Sequence, residues 1–332
     1  MSTFKIHAGQ PMLDIRSYAR RGPGRSDRLT PAQVELIFRT VRRVPEVMVK
    51  VSGGGTSPKA VAAHFKYIDR HGELEIETDD GDRLRGEGAV KDLTADWDLD
   101  VDAAESRSPY SGRPGRKPGK LVHNIILSMP AGTSPVGLLA ASRDFAREQF
   151  ALQYRYAMVL HTDQDHPHIH LVVKARSYLG ERLNIRKATL REWRREFARH
   201  LRAQGTPANA TERHVRGVTK PRKPDGIYRA ALRGDSKHVR ERVTAVASDL
   251  SKNEPRIELG KRKLAETRRE LERGWRVITD MLTSEGQAEL AAKVNRFVGQ
   301  MPPPRTEDEW FSFALRQPDR IFPTHTQEPP TR

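Results

Sequence analysis

The sequence predicts an α+β fold, because segments of strand character and of helical character alternate irregularly along the first two thirds of the chain. Four apolar runs of strand length are rich in β-branched and aromatic residues. They lie at residues 47–51, 122–129, 154–160 and 168–173. Between them, residues 58–70 and 135–150 carry apolar side chains at helical spacing. A polar turn separates the last two strands, which indicates an antiparallel hairpin.

The helix predicted over residues 58–70 presents Val61, Phe65 and Ile68 on one face. Because each helical residue advances by about 100°, Tyr67 lies off this face, and its hydroxyl is expected to point outward. A tyrosine in such a place is usually a packing residue, so its position alone does not indicate a function.

Glycines mark both ends of this helix. Gly53 to Gly55 connect it to the preceding strand, and they either present backbone N–H groups to a phosphate or form a flexible turn; the sequence favours neither. Gly72 is placed as the helix stop. Beyond it, turns are predicted from Asp79 to Lys120, with an exposed basic loop over residues 109–120.

Two later helices carry start signals. Ser134 is the expected N-cap of the helix over residues 135–150. Thr189 and Glu192 form the pattern of a capping box, which predicts a helix from Thr189 to Gln204. Arginines cover much of its polar surface, which is either a solvated helix face or, as we expect from the scarcity of compensating acids, a surface that meets phosphates. These are Arg191, Arg194, Arg195, Arg199 and Arg202.

Four histidines lie between positions 161 and 170, directly before an apolar strand. Successive side chains of a strand point to opposite faces, so His168 and His170 project from the same face. In an antiparallel hairpin, His161 lies across from this pair. Three imidazoles therefore meet at the mouth of the hairpin, with Asp163 and Asp165 beside them.

This cluster predicts a divalent-metal site whose other coordination positions stay open to solvent or substrate. The chain contains no cysteine, which excludes disulfides and thiolate ligands, so that a metal must be held by histidine, aspartate or glutamate. By affinity alone, imidazole ligands favour zinc, nickel or copper.

Charge indicates the class of ligand. The chain has 59 lysines and arginines against 43 acidic residues, a formal net charge of +16, and its pI is about 10.2. This balance favours a polyanion, and nucleic acid is the first candidate. The sequence shows neither an apolar stretch of membrane-spanning length nor a signal peptide at its start, so we expect a soluble protein.

Composition and periodicity predict four regions. The first is a basic N-terminal arm over residues 1–45, which ends in a short helix. A domain with the histidine hairpin follows over residues 46–218. Residues 219–300 are predicted to form a helical accessory region, and residues 301–332 a partly disordered, proline-rich tail.

Three ordered motifs between residues 47 and 220 resemble those of HUH relaxases of the P-type mobilisation family, which includes T-DNA border endonucleases. The first is the glycine run with the segment around Tyr67. The second is the strand from Asn124 that ends in a Pro-Ala-Gly-Thr turn at Thr133, and the third is His161 to His170. The resemblance implies a central antiparallel sheet with flanking helices, and makes residues 46–218 the HUH nuclease domain.

The resemblance also implies a chemistry. Tyr67 corresponds to the family's nucleophile, which nicks one DNA strand, forms a 5′-phosphotyrosyl adduct and religates the strand after transfer. Mg²⁺ or Mn²⁺ is the expected cofactor, and the general base stays open between Asp163 and His166. The metal ligands correspond to His161, His168 and His170.

The substrate implied is single-stranded or locally melted DNA at an origin of transfer, because a tyrosine cannot align on a phosphate in a regular duplex. Lys66 and Arg70 flank Tyr67 and are expected to contact this DNA. An accessory DNA-binding protein and a type IV secretion coupling protein are implied partners. The expected location is the bacterial cytoplasm, without membrane insertion and with translocation to a recipient cell.

Three other functions fit parts of the sequence. A rolling-circle replication initiator shares the chemistry, and a helicase or primase segment would favour it. A metal-dependent nuclease without a covalent intermediate would use the histidines and would not need Tyr67. A DNA-binding protein without enzymatic activity would need only the positive charge.

Overall fold

The structure is a computed structural model that describes Ile15, Tyr18 and residues 28–107, 119–218, 234–252 and 259–316. The described residues form two compact units. The sheet unit consists of residues between Arg42 and Ala210, and the helical unit consists of residues up to Val41 together with those from Thr211 onward.

The sheet unit contains one six-stranded, entirely antiparallel sheet. Its strands in chain order are β1 (Met48–Gly53), β2 (Ile76–Thr78), β3 (Arg83–Leu84), β4 (Val122–Ser128), β5 (Tyr156–His161) and β6 (His168–Lys174). In space the order is β1-β4-β6-β5-β2-β3, so that β6 lies between β4 and β5.

Ten α-helices are found among the described residues. They are α1 (Pro31–Val41), α2 (Pro58–Ile68), α3 (Ala89–Asp96), α4 (Leu99–Arg107), α5 (Pro135–Phe150), α6 (Lys187–Ala203), α7 (Lys237–Lys252), α8 (Leu259–Ser284), α9 (Ala288–Gly299) and α10 (Glu307–Arg316). The α+β class, the antiparallel sheet and the C-terminal helical region predicted from the sequence are thereby confirmed.

Helices cover both faces of the sheet. On one face α5 and α6 bury Phe145 and Phe197 against the inner side chains of β5 and β6. On the other face α2 and α3 bury Phe65 and Leu93 against Val172 and its neighbours. The two central strands are therefore buried on both sides, which explains their almost continuous apolar sequence.

The predicted hairpin is present and its register is regular. His161 at the end of β5 pairs with His168 at the start of β6, and Val159 pairs with His170. Alternation along the strands places the three histidines on the same face as Val172, which is the face covered by α2 and α3.

Two predictions of local structure were wrong. The segment from Asp79 to Lys120 was expected to consist of turns, but it contains β3, α3 and α4. These helices are only two to three turns long and rich in acidic residues, and their few apolar side chains, such as Leu93, are fixed by packing on α2 rather than by a long periodic pattern. The basic loop lies mostly outside the described residues, because only Gly119 and Lys120 of it are described.

The start of α6 is the second correction. The helix begins at Lys187 and its N-cap is Arg186, not Thr189. Thr189 still stabilises the helix start, because its hydroxyl accepts the backbone N–H of Arg186 at 3.2 Å. This hydrogen bond connects Thr189, the third residue of the helix, with the N-cap residue Arg186. It is one of the two hydrogen bonds that make up a capping box. By contrast, Ser134 caps α5 as predicted and accepts the N–H of Gly137 at 3.4 Å.

Close packing explains the glycine run. A Cβ atom added to Gly54 would lie 2.2 Å from the carbonyl oxygen of Val122, and one added to Gly55 would lie 2.6 Å from Cγ2 of Val61. The run lets the backbone after β1 approach both β4 and α2. It thereby fixes where α2 begins, and α2 in turn carries Tyr67.

The helical unit has its own apolar core. Trp275 of α8 is fully buried at its centre, and its ring N–H donates a 3.0 Å hydrogen bond to the carbonyl oxygen of Val215. Ile37 of α1, within the predicted N-terminal arm, is also fully buried in this core. The helix α10 lies in the segment predicted as the tail. Residues 219–233, 253–258 and 317–332 lie outside the described ranges.

No helix among the described residues combines the length and the apolar character needed to cross a lipid bilayer.

One partly buried histidine of the sheet unit, His123, predicts a pH dependence of stability. Burial, with the charges of Lys120 and Arg182, lowers the pKa of His123 from 6.5 to about 4. Between these values the unfolded chain binds a proton that the folded chain does not, so stability falls as the pH falls. We expect wild type to lose roughly 1–2 kcal/mol more than His123→Gln between pH 7 and pH 5 in urea melts. Equal losses in the two proteins would contradict this.

Candidate functional site

Three histidines form a compact cluster at the end of the sheet. The candidate ligand atoms of His161, His168 and His170 all lie within 4.8 Å of one another. Their ring centroids are 4.5 to 5.1 Å apart, and each side chain is at least nine-tenths buried. The cross-strand pair of His161 and His168 and the alternation along β6 produce this arrangement directly, as the sequence predicted.

The cluster is electrostatically suited to bind a cation. Burial lowers the pKa of His161, and burial together with the neighbouring imidazoles lowers that of His170 to about 3. These rings are therefore neutral at physiological pH, and each has one ring nitrogen with a lone pair, which in His161 is the nitrogen that faces Arg70. His168 has its Nδ1 atom 3.1 Å from the carbonyl oxygen of His166. If Nδ1–H donates there, Nε2 is left free as the ligand atom.

The helix α2 brings Tyr67 to the same end of the sheet. The hydroxyl of Ser57 accepts the N–H of Ala60 at 3.3 Å and starts the helix, while Phe65 and Ile68 anchor it in the core. Tyr67 points away from that core and is 60 % exposed. It is therefore accessible to a large substrate, as its position off the apolar face predicted.

His64 links the tyrosine to the histidine cluster. Its ring is stacked on Tyr67 with 6.4 Å between centroids, and it meets the edge of His170 at 6.2 Å. Burial lowers its pKa, and its Nε2 atom is buried without a hydrogen-bond partner among the described residues. Sequence reasoning missed His64, although its position one helical turn before Tyr67 was a signal that could have revealed it.

Arg70 makes a second connection between the tyrosine and the cluster. Its guanidinium carbon lies 5.5 Å from the centre of the Tyr67 ring, and one of its nitrogens is 3.3 Å from Nδ1 of His161. The same nitrogen donates to Asp163 at 2.5 Å. Arginine has no acceptor, so Nδ1 must accept this contact, and Nε2 of His161 then donates to the carbonyl oxygen of Ile68 at 2.6 Å.

The ion pair between Arg70 and Asp163 shifts both groups. Partial desolvation opposes charge on each, but their mutual hydrogen bond and attraction prevail, so the pKa of Arg70 is raised and that of Asp163 is lowered. The hydroxyl of Tyr67 also contributes to the raised pKa of Arg70. A permanent positive charge therefore lies beside both the tyrosine and the histidines.

A strained turn holds Arg70 in place. Arg70 and His71 both have positive φ angles, 54° and 58°, and Gly72 follows with φ 92°. Left-handed backbone costs about 1–2 kcal/mol for a residue other than glycine. Such strain at a cluster of polar groups is typical of functional sites. The helix itself ends at Ile68, and Gly72 completes the turn that follows.

The other predicted site residues are distributed more widely. Asp165 and His166 are exposed on the loop between β5 and β6, and Lys66 is exposed on α2 next to Tyr67. The predicted DNA-binding arginines of α6 lie on a helix that packs against the opposite face of the sheet from the histidines. Arg195 is paired with Glu192, and Arg199 with Glu148 and Glu196. The structure therefore does not bring the α6 arginines to the histidine cluster.

An antiparallel sheet with a buried three-histidine cluster and an exposed tyrosine beside it is the arrangement that the resemblance to relaxase nuclease domains implied. Comparison with known proteins agrees with this: residues 84–206 match the relaxase family described as MobA/VirD2-like, nuclease domain. Residues 84–206 are therefore similar to a MobA/VirD2-like relaxase nuclease domain. The matched residues include all three histidines, whereas Tyr67 precedes them.

Individual relatives are similar over part of their length. T-DNA border endonuclease VirD2 of Agrobacterium fabrum is 30 % identical over 203 residues, which are 57 % of this chain and 44 % of that protein. VirD2 of Rhizobium rhizogenes is 33 % identical over 138 residues, 39 % of this chain and 31 % of that protein. The chain thus spans less than half the length of these curated relatives.

Proposed function

We propose that this protein is a DNA relaxase, which nicks one strand at an origin of transfer and later rejoins it. The observation that carries the proposal is the contact chain from Tyr67 through His64 to His170, with Arg70 touching both Tyr67 and His161. A nucleophile, a permanent cation and a metal-binding cluster are thereby held together in one place.

The histidine cluster fits a divalent cation on structural grounds, since it offers three closely spaced imidazoles, and burial lowers the pKa of two of them, His161 and His170. His161, His168 and His170 would hold the ion. When bound, it would neutralise the phosphodiester oxygens and make the phosphorus a better electrophile. Mg²⁺ or Mn²⁺ is the ion we propose, because cellular availability outweighs the higher affinity of imidazole for zinc, nickel or copper.

The chain's own residues supply the nucleophile and its activation. The hydroxyl oxygen of Tyr67 bonds to phosphorus while the bond from phosphorus to the 3′ oxygen breaks, which gives a 5′-phosphotyrosyl adduct and a 3′-OH. Arg70 stabilises the negative charge that develops on the phenolic oxygen, and Asp163 holds Arg70 in position. The tyrosine proton leaves to a base, and the departing 3′ oxygen takes up a proton.

Two side chains on the loop after β5 are candidates for that base. Arg70 lowers the pKa of Asp163, which makes this carboxylate a weaker base. We therefore assign proton acceptance to His166, which is exposed on the same loop. An unchanged pH–rate profile for His166→Ala would contradict this assignment.

Because the adduct conserves the energy of the phosphodiester, a 3′-OH can attack it and restore the strand. We propose single-stranded or locally melted DNA as the substrate. By likeness to the family, an accessory DNA-binding protein would open the origin, a type IV secretion coupling protein would receive the complex, and the reaction would begin in the bacterial cytoplasm.

The experiment that tests the proposal is incubation of the protein with single-stranded origin DNA and Mn²⁺, followed by denaturing electrophoresis. We expect a protein–DNA species that survives denaturation, and we expect EDTA to prevent it while DNA binding persists. Cleavage without any adduct would show a hydrolytic nuclease instead. Adduct formation at a replication origin of the same element would favour a rolling-circle initiator.

Arg70 provides a sharper prediction within this mechanism. Arg70→Gln keeps a polar side chain and removes the charge, so we expect adduct formation in single-turnover assays to slow by about 100-fold. Cation affinity, measured by calorimetry, should not fall, because the change frees Nδ1 of His161 from its contact with Arg70. Arg147→Gln is the control, since Arg147 is exposed on α5 against the other face. A large loss of cation affinity in Arg70→Gln would refute the assigned role.

A further inference from the structure

We propose that Lys120 and Arg182 form a second phosphate-binding surface, which holds the DNA strand at a fixed distance on one side of the nick. This inference rests on the proposed function and adds to it a surface that positions the DNA strand. The surface, called here the distal basic pair, lies at the opposite end of β4 from the histidine cluster.

The distal basic pair is built into the backbone around the start of β4. The ammonium group of Lys120 donates to the carbonyl oxygen of Gly53 at 3.3 Å. The guanidinium of Arg182 donates to the carbonyl oxygen of Lys120 at 2.7 Å. Both side chains are exposed. These bonds to neutral carbonyls position the two cations without neutralising them, and each retains donors that can face a phosphate.

Among the described residues, neither cation is paired with a carboxylate, in contrast to Arg195 and Arg199 of α6. Their positive charge acts on the neighbouring His123. Burial and the charges of Lys120 and Arg182 together lower the pKa of this histidine. The adjoining sequence over residues 108–118 contains three more basic residues and no acidic one. Unneutralised charge of this kind favours a polyanion over a protein partner.

The sheet determines how far this pair is from the reaction. The strand β4 runs from Val122, next to Lys120, to Ser128, which pairs with His168. Six steps of about 3.3 Å make this roughly 20 Å. A strand that rises about 3.4 Å per nucleotide covers that distance in roughly six nucleotides, and an extended strand needs fewer. The distal basic pair therefore contacts phosphates a few nucleotides from the scissile one.

The test uses oligonucleotides that carry the nick site with flanks shortened one nucleotide at a time from either end. Affinity is measured by fluorescence anisotropy in EDTA for wild type, Lys120→Gln, Arg182→Gln and the control Arg147→Gln. We expect each variant of the pair to bind the long DNA roughly 3- to 10-fold more weakly, with a salt-dependence slope smaller by about one. We expect no difference once one flank is shorter than about six nucleotides.

Adduct formation on the shortest DNA that wild type still cleaves keeps the two proposals separate. Suppose that wild type forms adducts. The role of the distal basic pair is then refuted if Lys120→Gln and Arg182→Gln bind long DNA as well as Arg147→Gln does, or if they lose affinity equally at all DNA lengths. In either case the relaxase proposal stands. If wild type forms no adduct on any DNA, the relaxase proposal fails. Thermal melts of Lys120→Gln, which removes only one hydrogen bond to Gly53, show whether a loss of binding reflects unfolding.

Discussion

Replacing Tyr67 with phenylalanine is expected to abolish the covalent adduct and strand cleavage together. The substitution removes only the hydroxyl, and the ring can still stack on His64. Without the hydroxyl of Tyr67, the protein has no nucleophile that can attack the phosphorus, even though the histidine cluster is intact. We expect the rate of cleavage of origin DNA to fall by at least about 10³-fold in single-turnover assays, while the affinity for DNA stays within about twofold.

Two outcomes would overturn this expectation. Undiminished cleavage by Tyr67→Phe would mean that water attacks the phosphodiester directly. Loss of DNA binding would mean that the tyrosine acts in recognition. The control is His64→Phe, which keeps an aromatic ring between Tyr67 and His170. Since we assign His64 to positioning, we expect this variant to form the adduct within about tenfold of wild type, and His64→Ala to be slower than His64→Phe.

Replacing Gly54 with alanine is expected to destabilise the fold strongly. The new methyl group would lie 2.2 Å from the carbonyl oxygen of Val122, which is backbone and cannot turn aside. Relief requires moving the start of β4 away from the end of β1, where the two strands are paired. We expect a loss of more than about 3 kcal/mol, seen as a fall in Tm of 10 °C or more, or as insoluble protein.

The neighbouring glycine is a matched control for this prediction. A Cβ atom at Gly53 has its nearest neighbour, Nδ2 of Asn124, at 3.9 Å, which is ordinary contact. We therefore expect Gly53→Ala to change the free energy of unfolding by less than about 1 kcal/mol. Comparable destabilisation of both variants would show that chain flexibility, rather than close packing, explains the glycine run.

The histidine cluster was predictable because it depends on short-range rules. Strand alternation determines the faces of His168 and His170, and a hairpin brings His161 beside them whatever surrounds it. The helix with Tyr67 was predictable for a similar reason, since its buried face is regular. Both depend on positions close together in sequence.

The contacts between the histidine cluster and the helix with Tyr67 were not predictable. His64 is a single histidine on a helix surface, and only the packing of α2 on the sheet shows that it meets His170. Likewise, the acidic partner of Arg199 on α5 is 51 residues away in sequence, so the arginines of α6 looked free of acids when some are paired. Contacts of this kind follow from tertiary packing, which periodicity does not encode.

The helical unit shows the same limit at larger scale. Its C-terminal helices were expected from their apolar spacing, and α7, α8 and α9 confirm them. That Ile37 of α1 is buried in the same core as Trp275 was not expected, because the two residues are separated by the whole sheet unit in sequence. Residues 1–45 are basic and interrupted by glycines, so the sequence alone indicated a separate arm. Only the structure shows that α1 packs in the core of the helical unit.

The two edge strands of the sheet, β1 and β3, affect the tendency to aggregate. Other chains can pair with an unprotected edge strand, and long, flat edge strands promote aggregation. Here β3 has only two residues, while β1 carries exposed Lys50 and a register shift before Gly53. Asn209 pairs with the segment just before β1, through backbone hydrogen bonds to Pro45 and Val47. The sheet therefore offers little for a foreign strand to pair with.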